Sequence, residues 1–230
     1  MTKNTAILTA DTFRFFRDLK KNNSKLWMDA NRGRYKQHVV DPFRKLLDAL
    51  APAMHKLHPE FSISGRTGEN FSRINRDIRF ANDKTPYYTH MYLFFSCAEK
   101  PGRAGGQLYV GISADGATIG FRIYHGGRES AMACICSPRA ITNLDWLVRQ
   151  HKKFARKFES YWYSSEKENW TKHPGWPSDA KEWKKSKGWV IRRKLSVAAA
   201  TKPVFRREIE KTFRELFPLY AFSCLQEWKS

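Results

Sequence analysis

The chain has 230 residues, of which 41% are hydrophobic and 14% aromatic, so it carries ample apolar material for a packed core. It has 42 lysines and arginines against 22 aspartates and glutamates, which gives a formal net charge of +20. This composition excludes a mainly disordered chain and favours polyanionic partners such as nucleic acid, an acidic membrane surface or phosphorylated small molecules. A well-solvated cationic surface without any partner is the alternative explanation.

Cysteine usage and the absence of long apolar runs indicate the compartment. The four cysteines lack the dense spacing of a secreted disulfide scaffold, so we predict free thiols at Cys97, Cys134, Cys136 and Cys224. The C-x-C pair has no second pair or histidine at zinc-finger spacing, so neither a metal ion nor a cofactor is predicted. No segment resembles a signal peptide or approaches the roughly 20 apolar residues of a membrane span. We therefore expect a cytoplasmic protein without a membrane span.

Helical spacing dominates the first 57 residues. Phe13, Phe16 and Leu19 share one side of a short first helix. Asp41 and Pro42 then supply a cap and a proline at the first helical position. The clearest amphipathic helix follows them, with apolar residues at spacings of three and four: Phe43, Leu46, Leu47, Leu50, Met54 and Leu57.

Alternating apolar residues and frequent glycines predict a sheet between residues 62 and 127. Apolar residues alternate over 108–112 and again over 119–123, on either side of the turn sequence Ala-Asp-Gly-Ala at 114–117, which predicts a β-hairpin. The run 91–97 has too few polar positions for a half-solvated strand, so we expect it at the centre of the sheet.

Helical spacing returns after Pro138, and a final helix is predicted to open at Pro203. Between these helices, a basic and tryptophan-rich segment at about 149–194 is predicted to be irregular, apart from a strand over 188–197. The whole chain, 1–230, is expected to form a single α+β domain. Its central sheet, antiparallel or mixed, is expected to carry the N-terminal helices and a C-terminal helix packed on it.

The stretch 71–90 is the most informative part of the chain, because charged residues crowd between apolar anchors. They form a candidate anion-binding or ion-pair cluster: Arg73, Arg76, Asp77, Arg79, Asp83, Lys84, Tyr87 and His90. As a strand or as a helix, the segment brings Arg73 beside Asp77. A carboxylate held among guanidinium groups can orient an arginine for bidentate recognition of phosphate. Alternatively, the charges form an ion-paired network that braces the fold without binding anything.

Two motifs give the chain a specific resemblance. The sequence R-I-x-R-D-x-R-F-x-x-D-K-x-P-Y-x-T-H spans 73–90, and F-x-x-L-x-x-N-N-x-x-x-W spans 16–27. Together they resemble the signature of the family called domain of unknown function 2461, and the likeness extends across nearly the whole chain. The resemblance implies one α+β domain and marks the cluster residues, with Pro86, as motif positions. It implies no catalytic role for any of them.

The segment between residues 149 and 194 has 14 lysines and arginines against five acidic residues, interleaved with aromatic residues. Cations neutralise phosphates, and exposed aromatic rings stack unpaired bases. The candidate polyanion-binding surface comprises Lys152, Lys153, Lys184, Lys185, Lys187, Arg192 and Arg193. The alternative is that most of the tryptophans are buried and pin the segment onto the domain, as large aromatic residues usually do.

Catalysis is left open by these patterns. Asp77, Asp83, Lys84 and His90 include the acids, the cation and the base that a phosphoesterase needs, although Asp83 and its neighbours also fit a turn. Three interpretations follow. The first is an anion- or phosphate-binding domain with nucleic acid as the leading ligand class. The others are a hydrolase or transferase acting on a phosphorylated substrate, and a structural or interaction domain without catalysis.

Overall fold

The computed structural model describes residues 6–97, 106–124, 142–154, 156–164, 169–172 and 186–225. The chain divides into two compact units. The first unit comprises Met1–Phe95, Tyr109–Thr118 and Lys194–Lys211, and the second comprises Ser96–Leu108, Ile119–Arg193 and Thr212–Ser230. Whether one domain spans 1–230 stays a prediction.

The N-terminal part of the first unit is helical, as predicted. Its helices are α1 (Ala10–Lys21), α2 (Lys25–Ala30), α3 (Arg32–Tyr35), a π-helical turn (Lys36–Val40) and α4 (Asp41–Leu57). Helix α2 begins where the hydroxyl of Ser24 accepts a hydrogen bond from the backbone N–H of Trp27 at 3.2 Å. Helix α4 has Pro42 in its first turn and buries the apolar face that its sequence pattern predicts.

Among the described residues, six strands form one antiparallel sheet in the order β1-β2-β3-β6-β4-β5. The strands are β1 (His90–Phe95), β2 (Gln107–Ser113), β3 (Gly116–Tyr124), β4 (Glu159–Ser164), β5 (Asn169–Lys172) and β6 (Ser186–Leu195). Strands β2 and β3 confirm the predicted hairpin. Gly116 begins β3 with a φ of 135°, a backbone conformation that residues with a Cβ rarely adopt.

Strand β1 confirms the predicted strand, but its expected central position is wrong, because it is the first strand in the sheet order. The segment before it covers the outer edge instead. The backbone N–H of Ser72 donates to the carbonyl of Tyr92 at 3.0 Å, and that of Phe94 donates to the carbonyl of Asn70 at 2.8 Å. An irregular neighbour therefore shields the apolar strand that a central position was expected to shield.

The later helices are α5 (Leu144–Phe154), α6 (Val197–Ala200) and α7 (Phe205–Cys224), the last of which confirms the predicted C-terminal helix. Regular structure occupies part of the stretch expected to be irregular, as strands β4 and β5, whereas β6 confirms the strand predicted over 188–197. Trp162 and Trp189 are opposite partners in β4 and β6, and both are buried. In β4, successive aromatic residues at 161–163 lie on both faces and hide the alternation that identifies a strand from sequence.

The core of the second unit joins its sheet to α7. The ring of Phe121 on β3 lies 5.9 Å from Trp189 and 6.1 Å from Tyr220, both in edge-on contact. These packed elements confirm the α+β class, with a C-terminal helix on the sheet. Cys97 and Cys224 are thiols that form no disulfide, as predicted, whereas Cys134 and Cys136 lie outside the described residues. No helix in the described ranges has the length and apolar character needed to cross a membrane.

Candidate functional site

The segment 71–90 is neither a continuous strand nor a helix. Isolated antiparallel bridges join Phe71 to Leu93 and Asn75 to Tyr87. The backbone N–H of Arg76 donates to the carbonyl of Pro86 at 2.9 Å and closes the base of a loop, which we call the 76–86 loop. Most of the predicted cluster lies in this loop, which belongs to the first unit.

Asp77 binds Arg79 and not Arg73, the partner expected from a regular helix or strand. The two side chains form a forked pair, with Nε of Arg79 3.0 Å from Oδ1 and Nη2 2.7 Å from Oδ2 of Asp77. Oδ1 also accepts the backbone N–H of Arg79 at 3.2 Å, which is an Asx turn. The side-chain bonds and then the backbone bond lower the pKa of Asp77, so the carboxylate stays ionised beside its arginine.

Arg76 and Asp83 brace the same loop from its other side. The guanidinium of Arg76 donates to Oδ2 of Asp83 at 2.6 Å and to the carbonyl of Thr85 at 3.1 Å, and it also contacts the Thr85 hydroxyl. The backbone N–H of Thr85, then Arg76, and then the Thr85 hydroxyl lower the pKa of Asp83 to about 2. The Lys84 ammonium donates to the carbonyl of Ile78 at 3.1 Å. These three charged residues, with Asp77 and Arg79, hold the loop in one shape.

Tyr87 and His90 are the last two residues of the candidate cluster along the chain. Tyr87 is buried, and Asn23 accepts its backbone N–H at 3.1 Å and donates to its carbonyl at 2.8 Å. Since Asn23 and Tyr87 belong to the two different sequence motifs, this contact is where the motifs meet. The His90 ring lies between Tyr88 and Tyr92, with ring centroids 5.3 Å and 5.0 Å away.

Arg73 has a different setting, on the wall of an open pocket of about 320 Å³ that lies within the first unit. Phe43, Phe71 and Met91 give the pocket an apolar lining, and Arg44 of helix α4 contributes a second guanidinium. Arg44 and Arg73 are both exposed. Neither guanidinium forms an ion pair or hydrogen bond with any described residue. Two uncompensated cations therefore line one pocket with an apolar wall.

Tyr35 lies at the junction between α3 and the π-helical turn, and its side chain lines the same pocket. Its hydroxyl donates to the sulfur of Met91 at 3.8 Å. Burial raises the pKa of Tyr35 to about 12 and outweighs the opposite effect of Arg32, so the phenol stays a neutral hydrogen-bond donor. Val40, the last residue of the π-helical turn, lines the pocket too, and such turns are frequent at functional sites.

Asn70 is completely buried and holds the backbone of Gly65, which lines the pocket. Its carbonyl oxygen accepts the backbone N–H of Gly65 at 2.9 Å. Its amide nitrogen donates to the carbonyls of Ser62 at 2.8 Å and Phe94 at 3.1 Å. Sequence reasoning missed both Asn70 and Arg44. An asparagine in a glycine-rich loop and a charge on the polar face of a helix carry no distinctive local signal.

The candidate polyanion surface is only partly described. Lys152 and Lys153 are exposed on α5, and Lys187 and Arg193 lie in β6. Arg192 lies 3.6 Å from Glu159 and stacks over the ring of Tyr161 at 4.5 Å from its centroid. Lys184 and Lys185 lie outside the described residues. Because Trp162 and Trp189 are buried, these two rings serve the core and are not available to stack bases.

Comparison with known protein families identifies the family of this chain. The model of the conserved hypothetical proteins named DUF2461 matches residues 11–222, which is most of the chain. The chain belongs to this family. No curated protein matches it. The family match covers both motifs, and the structure joins them through Asn23 and Tyr87.

Proposed function

We propose that this DUF2461 member binds phosphate-bearing anions, and that Arg44 and Arg73 hold the anion in the pocket of the first unit. The observation that carries the proposal is that both guanidinium groups line one pocket and have no acidic partner among the described residues. An uncompensated guanidinium presents a planar fork of donors that matches phosphate or carboxylate.

The pocket also suggests the shape of the ligand. About 320 Å³ is near the lower end of small-molecule sites, and its walls combine cations with apolar and aromatic side chains. A nucleotide unit joins a phosphate to a planar base and suits such a lining. The net charge of +20 raises the local concentration of polyanions around the chain. Nucleic acid is therefore the leading ligand class of the proposal. A cytoplasmic location is part of the same proposal.

The electrostatics of the 76–86 loop favour binding over hydrolysis. A general base works best with a pKa near the operating pH. The pKa of Asp83 is about 2, and that of Asp77 is lowered by Arg79, so both carboxylates hold protons poorly at neutral pH. Their geometry suits a bracing role, which is the structural alternative for these two residues and their arginines.

Calorimetry with pyrophosphate as the probe tests the proposal. We expect Arg44→Ala and Arg73→Ala each to weaken binding about tenfold, since a hydrogen bond to a charged group contributes about 1.5 to 3 kcal/mol. Arg17→Ala is the matched control, because Arg17 is an exposed arginine of the same unit that lies outside the pocket. Equal weakening in all three variants would reduce the effect to general charge, and no binding by the wild type would refute the proposal.

A further inference from the structure

Two aromatic side chains are exposed beside the braced arginines. Phe80 is 96% exposed and Tyr88 is 39% exposed. The other large hydrophobic side chains that the structure describes as exposed are aliphatic: Leu26, Ile63 and Val204. The exposed aromatic surface of the described residues thus concentrates at the 76–86 loop and at Tyr88, two positions after its base.

Each of these rings lies beside a guanidinium. Arg79 lies 5.9 Å from the centroid of Phe80, and Arg76 lies 5.8 Å from the centroid of Tyr88. Both arginines are already held by aspartates of the loop. The rings therefore project from a braced loop and not from a free chain, which lowers the entropy that a ligand must remove on binding.

The aromatic surface continues from Tyr88 along one side of β1. Tyr88, His90 and Tyr92 occupy alternate positions, and their rings follow one another with centroids 5.3 Å and 5.0 Å apart. The Tyr92 ring packs so closely over β2 that a Cβ at Gly111 would lie 2.5 Å from it. A glycine at that position lets the row of rings lie against the strand.

We infer that Phe80 and Tyr88 form a stacking platform for the unpaired bases of single-stranded nucleic acid. Ring faces stack any base without sequence preference. The acids of the loop are occupied by Arg76 and Arg79, so the cations left for phosphates are Arg73 and Lys84, whose ammonium meets only the carbonyl of Ile78 among the described residues. The inference rests on the proposed function for its phosphate contact at Arg73, but it places the bases on a separate surface.

The test is fluorescence anisotropy with a labelled single-stranded RNA of about 12 nucleotides, the same sequence as DNA, and the duplex of each. We expect Phe80→Ala to weaken single-strand binding about fivefold or more, as expected for the loss of one stacked base. Leu26→Ala is the matched control, since Leu26 is an 84% exposed hydrophobic residue of the same unit. It should bind like the wild type. Because Phe80 is almost fully exposed, its replacement leaves the folded core intact.

A second readout separates stacking from charge. Phe80→Ala removes no phosphate contact, so the dependence of affinity on salt should keep its slope, whereas Arg73→Ala should reduce that slope. Phe80→Trp should retain affinity, and the indole fluorescence should be quenched when the single strand binds.

The outcomes distinguish the two proposals. If Phe80→Ala binds the single strand like the wild type, or if the wild type binds duplex as well as single strand, the stacking inference is wrong, and pyrophosphate binding at Arg44 and Arg73 is unaffected. If single-strand binding needs Phe80 while pyrophosphate binding ignores both pocket arginines, the pocket proposal fails and the platform stands. If Phe80→Ala weakened binding to an acidic protein and left binding to the single strand unchanged, the choice of nucleic acid as the ligand would be wrong.

Discussion

Four arginines of the first unit form two sets that share a residue type and differ in what surrounds the charge. Arg76 and Arg79 of the 76–86 loop are paired with Asp83 and Asp77. Arg44 and Arg73 line the pocket without an acidic partner among the described residues. Nearness to acids in the sequence does not decide which arginine is neutralised, because Arg73 is only four positions from Asp77 and still lacks its carboxylate.

Turn geometry explains the division. Each aspartate accepts the backbone N–H two residues ahead, from Arg79 and from Thr85, and this contact fixes its direction inside the loop. Exposed ion pairs contribute little to stability, with a median near 0 to 1 kcal/mol. The effect of the pairs is therefore to shape the loop, whereas the pocket arginines keep their charge for a ligand.

The largest effect is expected from Asn70, on whose amide the pocket wall depends. Asn70→Ala leaves the half-buried carbonyl of Ser62, the buried carbonyl of Phe94 and the N–H of Gly65 short of a partner. We expect the free energy of unfolding to fall by about 2 to 4 kcal/mol, measured by urea denaturation. Asn75→Ala, at an exposed position of the same pocket, is the control and should unfold like the wild type. Equal stability of the two variants would contradict the bracing role of Asn70.

The second prediction compares one arginine from each set. Arg73→Ala should weaken pyrophosphate binding about tenfold, with the urea midpoint unchanged, since a charge-assisted contact is lost and no internal bond is broken. Arg76→Ala should do the reverse and lower the free energy of unfolding by about 1 kcal/mol, because its side chain is 19% exposed and bonds Asp83 and Thr85. The contrast between the sets breaks down if both variants lose affinity and stability together.

A smaller effect is expected from Arg73→Lys, which sharpens the contrast within the pocket. Lysine keeps the positive charge but replaces the planar fork by a single ammonium group. Affinity for pyrophosphate should fall about threefold, less than in Arg73→Ala, by the same calorimetric measurement. Affinity equal to that of the alanine variant would show that the fork accounts for the whole contact, and wild-type affinity would show that charge alone does.

The smallest expected effect is a pH dependence of stability that arises from Asp83, which is paired with Arg76. The pKa of Asp83 is lowered from 3.8 to about 2 in the folded chain, so its stabilising contribution is complete above its unfolded pKa and is lost as the pH falls toward 2. Asp83→Asn should therefore unfold at a lower temperature than the wild type at neutral pH, and the two melting curves should converge as the pH falls through this window. A difference that persists at the acidic end would assign it to packing and not to charge.

The hairpin of β2 and β3 and the helices α4 and α7 could be predicted because their signals are local. Alternation over a few residues specifies a strand, and apolar spacings of three and four specify a helical face. The family could be recognised for the same reason, since its motif residues lie close together in the sequence. The charged segment 71–90 could be singled out from the sequence, and its role as a binding site stays a prediction.

The partners of those charges could not be predicted, because they depend on backbone directions that no periodicity encodes. Asp77 turns to Arg79 through an Asx turn, and Arg73 faces a pocket that α4 completes with Arg44. The edge position of β1 also needed the tertiary structure, since an irregular segment covers it as effectively as a neighbouring strand would.

The sequence by itself thus determined the family, the fold class, the principal elements and the excess of positive charge. Only the tertiary structure decided which arginines are neutralised, which line a pocket, and which aromatic rings reach solvent. The physical reason is that secondary structure follows from interactions within a few residues. The free charge of a guanidinium depends on which side chains, however distant along the chain, the fold brings within a few ångströms.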